Sequence, residues 1–245
     1  MTESTGIFLT SGLGALLFCA AFLFGDKIRP LRAVIHDPRS IASFGAGVST
    51  AYVFVHLMPE LAEAREAVAS SASRTLRYEG MVIYVVALTG FLAFYGLLHF
   101  RKRVRAKSAE GGEAAFRVDM AGWGCYVAIA AYLLSHTLDG TTASTLTYAV
   151  AIAFHLVAAD HAFRREHGAA YAGKGRLVLA AAALAGWLLG VLVALPLTVT
   201  AAAVAFVSGA VIINSAVMEL PAEKDGRFFA FAIGSAAYTV ILTPL

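Results

Sequence analysis

The chain has 245 residues, a formal net charge of +3, 59% hydrophobic side chains and only 14% charged ones. Soluble domains have about a quarter of their residues charged, and the mean hydropathy of this chain is +0.74. These values exclude a soluble protein and predict an integral membrane protein. The net charge means little as a total, because its distribution over the loops determines orientation.

Eight apolar runs are long enough to cross a bilayer, which takes about 20 residues per helix. They cover approximately residues 7–24, 41–59, 81–100, 120–138, 143–163, 177–195, 197–218 and 228–245. We therefore predict an all-α protein with eight transmembrane helices in a single transmembrane domain, residues 1–245. Breaks fall at signals such as Pro59-Glu60. Cys19 and Cys125 lie inside apolar runs, so we expect two buried hydrophobic side chains and no disulfide.

The basic residues predict the orientation of the helices. The loops after helices 1, 3, 5 and 7 hold 4, 6, 4 and 2 of the 19 Lys and Arg residues, and the loop after helix 2 holds the other 3. Basic loops stay in the cytoplasm, so both termini are predicted to be extracytoplasmic. The basic segment RKRVRAKSAEGGEAAFR after helix 3 is interpreted as a topology anchor that touches anionic lipid, and no nucleic-acid partner is expected.

The segment SFGAGVSTAYVFVHLMPE is apolar enough to span a membrane yet carries several polar side chains. Helical spacings of three and four residues put four of them on one face: Ser49, Tyr52, His56 and Glu60. Lipid is a costly neighbour for such a face, so we expect it to point toward other helices or water.

A similar segment occurs near the C-terminus. Gly47–Pro59 (GVSTAYVFVHLMP) and Gly209–Pro221 (GAVIINSAVMELP) each place a Gly before a Pro, with small and polar residues between them and an ionisable residue near the Pro. The two predicted helices cross in opposite directions, and weak similarity of this kind is typical of transporters built from inverted repeats. We predict a 3+2+3 bundle in which helices 1–3 and 6–8 are the repeats and helices 4 and 5 are a central pair.

Three further predicted helices carry polar side chains within the membrane. Helix 4 offers Tyr132, His136 and Asp139 on one face, and helix 5 offers His155 near mid-span with Asp160 and His161 closer to the cytoplasm. Helix 7 offers Ser208, Ser215 and Glu219 on one face, with Asn214 beside it. Imidazoles and carboxylates suit Zn²⁺, with Fe²⁺ or Mn²⁺ as alternatives, although the same groups could relay protons.

Several of these residues also have a structural interpretation. Asp160 could pair with Arg164 one turn on, Asp139 could cap a turn, and Glu219 could serve in a pairing role. His56 and Glu60 could be interfacial, and His161 could lie in the headgroup region. His36, His99 and His167 lie in or beside predicted cytoplasmic loops, where we expect them to be solvated. His155, deep in a helix without a charged neighbour in sequence, is the hardest to explain structurally.

The residues of helices 2 and 7 suggest a family. GAGVSTAYVFVHLMPE resembles the second helix of the ZIP (zinc/iron permease) metal transporters, where a small-residue run leads into an H-L-x-P-E ending. SGAVIINSAVMELPAE is similar to their seventh helix, which ends in E-L-P. The resemblance implies eight spans, both termini outside, inverted repeats and transport of a divalent metal.

The chain departs from this family at the metal site, for which ZIP proteins carry H-N-x-x-D-G on helix 4 and H-E-x-P-H-E on helix 5. In the first motif Asp139-Gly140 matches, but Ser135 replaces the His and His136 replaces the Asn. In the second motif His155 matches the first His and Asp160 stands for the final Glu. The replacements for the Glu, the Pro and the second His are Leu156, Ala158 and Ala159. The resemblance therefore implies one reduced site rather than a binuclear one.

Our first hypothesis is a transporter that moves a divalent metal, with zinc favoured, into the cytoplasm by alternating access. The candidate ligands are His136, Asp139, His155, Asp160, Glu219 and His56. A second hypothesis is a non-transporting ZIP-like sensor, scaffold or carrier of a non-metal solute. A third is an intramembrane zinc hydrolase with Glu60 or Glu219 as base, which ranks last because the chain lacks an HExxH motif.

The expected surroundings follow from the first hypothesis. The divalent metal is the substrate, no organic cofactor is predicted, and no enzymatic activity is expected. The partners are the lipid bilayer and the metal ion, and the Gly- and Ala-rich helices also allow a homodimer. The predicted location is a bacterial cytoplasmic membrane.

Overall fold

The computed structural model describes residues 2–25, 38–71, 79–107, 111–137, 141–215 and 226–242, and the prediction of an all-helical protein is confirmed within them. Eight helices can be followed there, and α2 runs over residues 38–71 in three segments. The bounds are α1 Thr2–Phe24; α2 Pro38–Ala51, a π-helical turn Tyr52–Leu57 and Met58–Ser71; α3 Val82–Lys107, preceded by a 3₁₀ turn Glu79–Met81; α4 Gly111–Leu133; α5 Thr142–Ala170; α6 Arg176–Leu192; α7 Leu197–Asn214; and α8 Phe228–Leu242.

Within the described ranges, four helical stretches are long and apolar enough to cross a membrane. They are Thr5–Phe24, Val82–Ala106, Thr142–Leu192 and Leu197–Asn214, and a shorter apolar helix covers Phe228–Val240. Many large apolar side chains on these helices are exposed at the protein surface, as expected for helices that face lipid acyl chains. The helices therefore support a membrane protein.

The stretch Thr142–Leu192 is two helices that fold back on each other. Gly6 and Gly14 of α1 lie against Thr142 and Ala149, so α5 runs parallel to α1. α6 runs the other way, because the Trp187 indole donates to the Ser11 hydroxyl near the start of α1. The chain reverses at Gly168, whose φ of 49° and ψ of −121° suit only glycine.

The predicted break of helix 2 at Pro59-Glu60 is not where the helix ends, since the helix continues to Ser71. Pro59 lacks an N–H group and its ring needs room in the preceding turn. A π-helical turn, Tyr52–Leu57, provides this room immediately before the proline, and the Met58 N–H donates to the Val53 carbonyl five residues back. Such π-helical turns occur frequently at functional sites.

The helices pack into two groups of four. In the first group α1 packs along α5 and α6, and α4 packs along α6; in the second group α2 packs along α8 and α7, and α3 packs along α7. The largest described contact between the groups is that of α3 with α4. The packing thus places α1 and α6 with the central pair α4 and α5, a division that the 3+2+3 order of the chain does not reveal.

Two helix pairs of the second group approach closely at glycines. In the pair α2–α8, a Cβ on Gly47 would overlap the Phe231 carbonyl and a Cβ on Gly234 would overlap the Phe44 carbonyl. The pair α3–α7 does the same, with Gly209 against the carbonyl of Ala87 and Gly90 against that of Phe206. In both pairs each glycine contacts the residue three positions before the partner glycine. Because glycine has no side chain, the backbones of the two helices can come into direct contact at these positions.

Candidate functional site

His155 lies in the interior of the bundle, as expected for a histidine in the middle of a predicted membrane span. Its side chain is 3% exposed. The imidazole stacks on Trp123 of α4 at a centroid distance of 5.7 Å and meets Tyr126 edge-on at 5.9 Å. The ring of His155 is therefore held between α5 and α4.

His56 lies on the π-helical turn of α2. Its ring is half-buried and stacks on Tyr52 at 5.4 Å, and Glu60, one turn further on, is also half-buried. Tyr52 is 2% exposed. The face that the sequence predicts to point inward is thus at least partly buried.

His136 is tied to the α6–α7 connection instead of to His155. Its Nε2 donates to the Gly190 carbonyl at 2.8 Å, and its ring stacks on Tyr132 at 4.7 Å. The Tyr132 hydroxyl in turn donates to the Val193 carbonyl at 3.1 Å and accepts from the Leu195 N–H at 3.0 Å. These contacts hold the end of α4 against the short turn that follows α6.

Asp160 takes part in the pairing that its sequence spacing suggested. The carboxylate is fully buried; Oδ2 accepts from Arg164 Nε at 2.7 Å and Oδ1 accepts from the Tyr171 hydroxyl at 2.8 Å. Arg164 also donates to the Phe22 carbonyl at 3.2 Å. Asp160 therefore links the end of α1 to the turn between α5 and α6.

The predicted ligands do not converge on one point. Tyr126, which contacts His155, lies ten residues before His136. At a rise of 1.5 Å per residue, this spacing puts His136 about 15 Å from Tyr126 along α4 and the turn that follows it. Asp139 and Glu219 lie outside the described residues. Within the described part of the chain, no group of three metal-ligating side chains includes His56, His136, His155 or Asp160. They are spread along the bundle.

Five buried polar side chains of the second helix group have no hydrogen-bond partner within the part of the chain described. They come from α2, from α7 and its end, and from α8. We call them the polar seam: Tyr52, Ser208, Asn214, Ser215 and Tyr238. Tyr238 meets Phe154 of α5 at 6.5 Å, so the seam touches the first group through this tyrosine. Leaving a polar group unsatisfied costs about 1–3 kcal/mol in protein mutational data, and both atoms of the Asn214 amide are unsatisfied.

A second polar cluster lies where α3, α4 and α5 meet at the end of the bundle that carries the basic loops. The Nη1 of Arg101 contacts Glu166 at 2.6 Å and Asp119 at 3.3 Å, and Arg105 contacts Glu166 at 3.1 Å. His167 Nε2 donates to Asp119 Oδ2 at 2.7 Å. We call Arg101, Asp119, Glu166 and His167 the basic-end cluster. Burial raises the pKa of Asp119 above its ordinary value, and Arg101 and His167 oppose that rise.

The expectation that His167 is solvated is wrong, because its side chain is only 4% exposed. α5 extends seven residues beyond the predicted end of helix 5 at residue 163, which puts the imidazole against Phe116 and Phe163. The spacing of four between Phe163 and His167 was the available signal for this contact.

The expectation that Cys125 is buried is also wrong. This side chain is exposed, because it lies on the outer side of α4.

Comparison of the chain with models of known protein families, with curated proteins and with solved structures found no match.

Proposed function

We propose that the chain is a ZIP-like transporter that moves a divalent cation, with zinc favoured, across the membrane by alternating access between the two helix groups. The observation that carries this proposal is the polar seam. Its side chains are shut away from solvent and have no hydrogen-bond partner among the residues that the structure describes. A conformation in which water or a hydrated cation reaches the seam would satisfy them, whereas a scaffold has no use for them.

The inverted repeat of the proposal is supported by the glycine contacts. Exchanging α2 with α7 and α3 with α8 turns the α2–α8 contact into the α7–α3 contact. The exchange matches Gly47 with Gly209 and Gly234 with Gly90, and it also matches their carbonyl partners, Phe231 with Ala87 and Phe44 with Phe206. Gly47 and Gly209 are the glycines that the sequence comparison aligned. Exchanging α1 with α6 and α4 with α5 relates the remaining extensive pairs, α1–α5 and α6–α4, in the same way.

The candidate ligands take separate roles in this proposal. His155 is the central station, because its buried imidazole contacts Trp123 and Tyr126, and both of these rings also meet Phe94 of α3 in the second group. His56 and Glu60 act on the path toward the extracytoplasmic side, and Glu219 acts on the path toward the cytoplasm. Neutral imidazole and carboxylate ligands suit zinc and related divalent ions. His136 and Asp160 are secondary stations, reached only when their present contacts open, and Asp139 is proposed as a third from its sequence position alone.

One observation favours the non-transporting alternative. His136 donates to Gly190, and both carboxylate oxygens of Asp160 accept hydrogen bonds. Two candidate ligands are therefore engaged in holding helices together. The hydrolase hypothesis receives less support, because it requires three converging ligands and an open position on the metal, and the candidates in the described residues are spread out.

The test is uptake of radioactive zinc by proteoliposomes that contain the folded, full-length chain, with cobalt, manganese and iron as competitors. Protein-free vesicles and vesicles with heat-unfolded protein are the controls. We expect saturable uptake above both controls that unlabelled divalent ions suppress. Absence of uptake for all four metals by folded protein would favour the non-transporting alternative.

A further inference from the structure

In the basic-end cluster, three metal-ligating side chains lie around the positively charged guanidinium group of Arg101. Ligand atoms of Asp119, Glu166 and His167 all lie within 4.8 Å of one another. The Arg101 Nη1 contacts a carboxylate oxygen of Asp119 and one of Glu166, and the same Asp119 oxygen accepts from His167. The guanidinium nitrogen therefore marks a position at which two carboxylates stabilise positive charge and an imidazole lies nearby.

We propose that Asp119, Glu166 and His167 form a divalent-cation site that is separate from the path through the polar seam and that Arg101 occupies in the conformation described. Two carboxylates and one imidazole are a donor set that suits Zn²⁺ or Mn²⁺, with water completing the coordination. When the metal binds His167 Nε2, that nitrogen gives up its hydrogen to offer a lone pair: a neutral imidazole moves the hydrogen to Nδ1, and an imidazolium releases one proton to solvent.

The division of the helices explains how the site becomes available. Arg101 belongs to α3 in the second group, whereas Asp119, Glu166 and His167 belong to α4 and α5 in the first group. A displacement of one group against the other withdraws Arg101 and leaves the buried carboxylate of Asp119 and the partly buried carboxylate of Glu166 without this counter-ion, which is costly. A divalent ion replaces the lost charge, so occupancy of the site stabilises the displaced arrangement. This last step rests on the proposed alternating access, but the site does not.

Arg101 is suited to leave because it is incompletely satisfied where it is. Its side chain is 8% exposed, and its Nε has no hydrogen-bond partner in the described part of the chain. Glu166 is 22% exposed and retains Arg105 as a second partner. A small ion can therefore approach the cluster from the Glu166 side.

The test measures Co²⁺ binding by the purified full-length chain in detergent at one fixed pH. The visible absorption of the bound Co²⁺ is the readout. All proteins carry His155→Phe, so the central ligand of the proposed function is absent and its failure cannot affect the result. We expect Arg101→Met to bind Co²⁺ at least about tenfold more tightly than the parent. Changes to groups around a metal site typically alter metal affinity by this factor, and here the change removes a competing cation. Adding His167→Gln should abolish the gain, and Arg103→Met, at an exposed neighbouring position, should not produce one.

Arg101→Lys provides a second variant if Arg101→Met does not fold, since its ammonium group keeps the charge but lies on a shorter side chain that reaches the Nη1 position less well. It should bind Co²⁺ more tightly than the parent and less tightly than Arg101→Met. If the folded variants at position 101 bind no more Co²⁺ than the parent, the proposal is overturned and the cluster is an ion-pair network only. A gain that survives His167→Gln overturns it as well.

Discussion

Replacement of His155 by phenylalanine should reduce zinc uptake at least about tenfold, since the loss of a group that only orients a metal ligand already has an effect of this size. Phenylalanine keeps an aromatic ring for the contacts with Trp123 and Tyr126 but removes both nitrogen ligands. The fold should therefore survive while the central station is lost. The measurement is the initial rate of zinc uptake into proteoliposomes, normalised to the folded protein inserted.

His161→Ala is the matched control on the same helix. His161 is exposed, and its Nδ1 donates at 3.2 Å to the Val157 carbonyl one turn back. We expect uptake within twofold of the wild type, since roughly equal behaviour is expected for surface changes away from a site. Uptake by His155→Phe at the wild-type rate would remove His155 from the path.

Gly209→Ala and Gly47→Ala should each destabilise the folded chain by a similar amount, about 1–3 kcal/mol as for overpacked cores. The new methyl group meets the Ala87 carbonyl in the first case and the Phe231 carbonyl in the second. Backbone atoms cannot move aside as the end of a side chain can, so the paired helices must separate. The measurement is reversible unfolding of the purified protein in detergent, monitored by circular dichroism.

The controls lie on the same helix pairs. A Cβ on Gly45 of α2 or on Gly96 of α3 meets no atom within 4 Å, and alanine is the better helix former by about 1 kcal/mol. Gly45→Ala and Gly96→Ala should therefore be neutral or stabilising. If Gly209→Ala behaved like its control while Gly47→Ala did not, the two contacts would not be equivalent and the inverted repeat would lose its main support.

The helices and the close contacts of Gly47 and Gly209 could be anticipated because both leave local signals. Apolar length marks a span, and a glycine in a small-residue run marks a close approach of backbones. The burial of His155 was also predictable, since a histidine in mid-span has no solvated position. The Asp160–Arg164 pair followed from its spacing of four.

The contacts of His167 with Asp119 and of His136 with Gly190 could not be predicted, because these partners are distant in sequence. Asp119 lies 48 residues from His167, and Gly190 lies 54 residues from His136. No helical period relates such positions, and only the packing of α4 against α5 and α6 brings them together. The π-helical turn before Pro59 escapes sequence prediction for another reason: a proline usually ends or kinks a helix, whereas here a wider turn accommodates it within α2.

The central claim is that the polar seam is a path for a hydrated cation, and thiol accessibility tests it most directly. Ser208→Cys and Asn214→Cys are introduced into a chain carrying Cys19→Ala and treated in proteoliposomes with a charged, membrane-impermeant thiosulfonate, with and without zinc. We expect both cysteines to react and zinc to slow the reaction. Cys125 should not react, because it is exposed on the outer side of α4, where lipid is expected to keep the charged reagent away. Lack of reaction at both seam positions in folded protein would contradict the account.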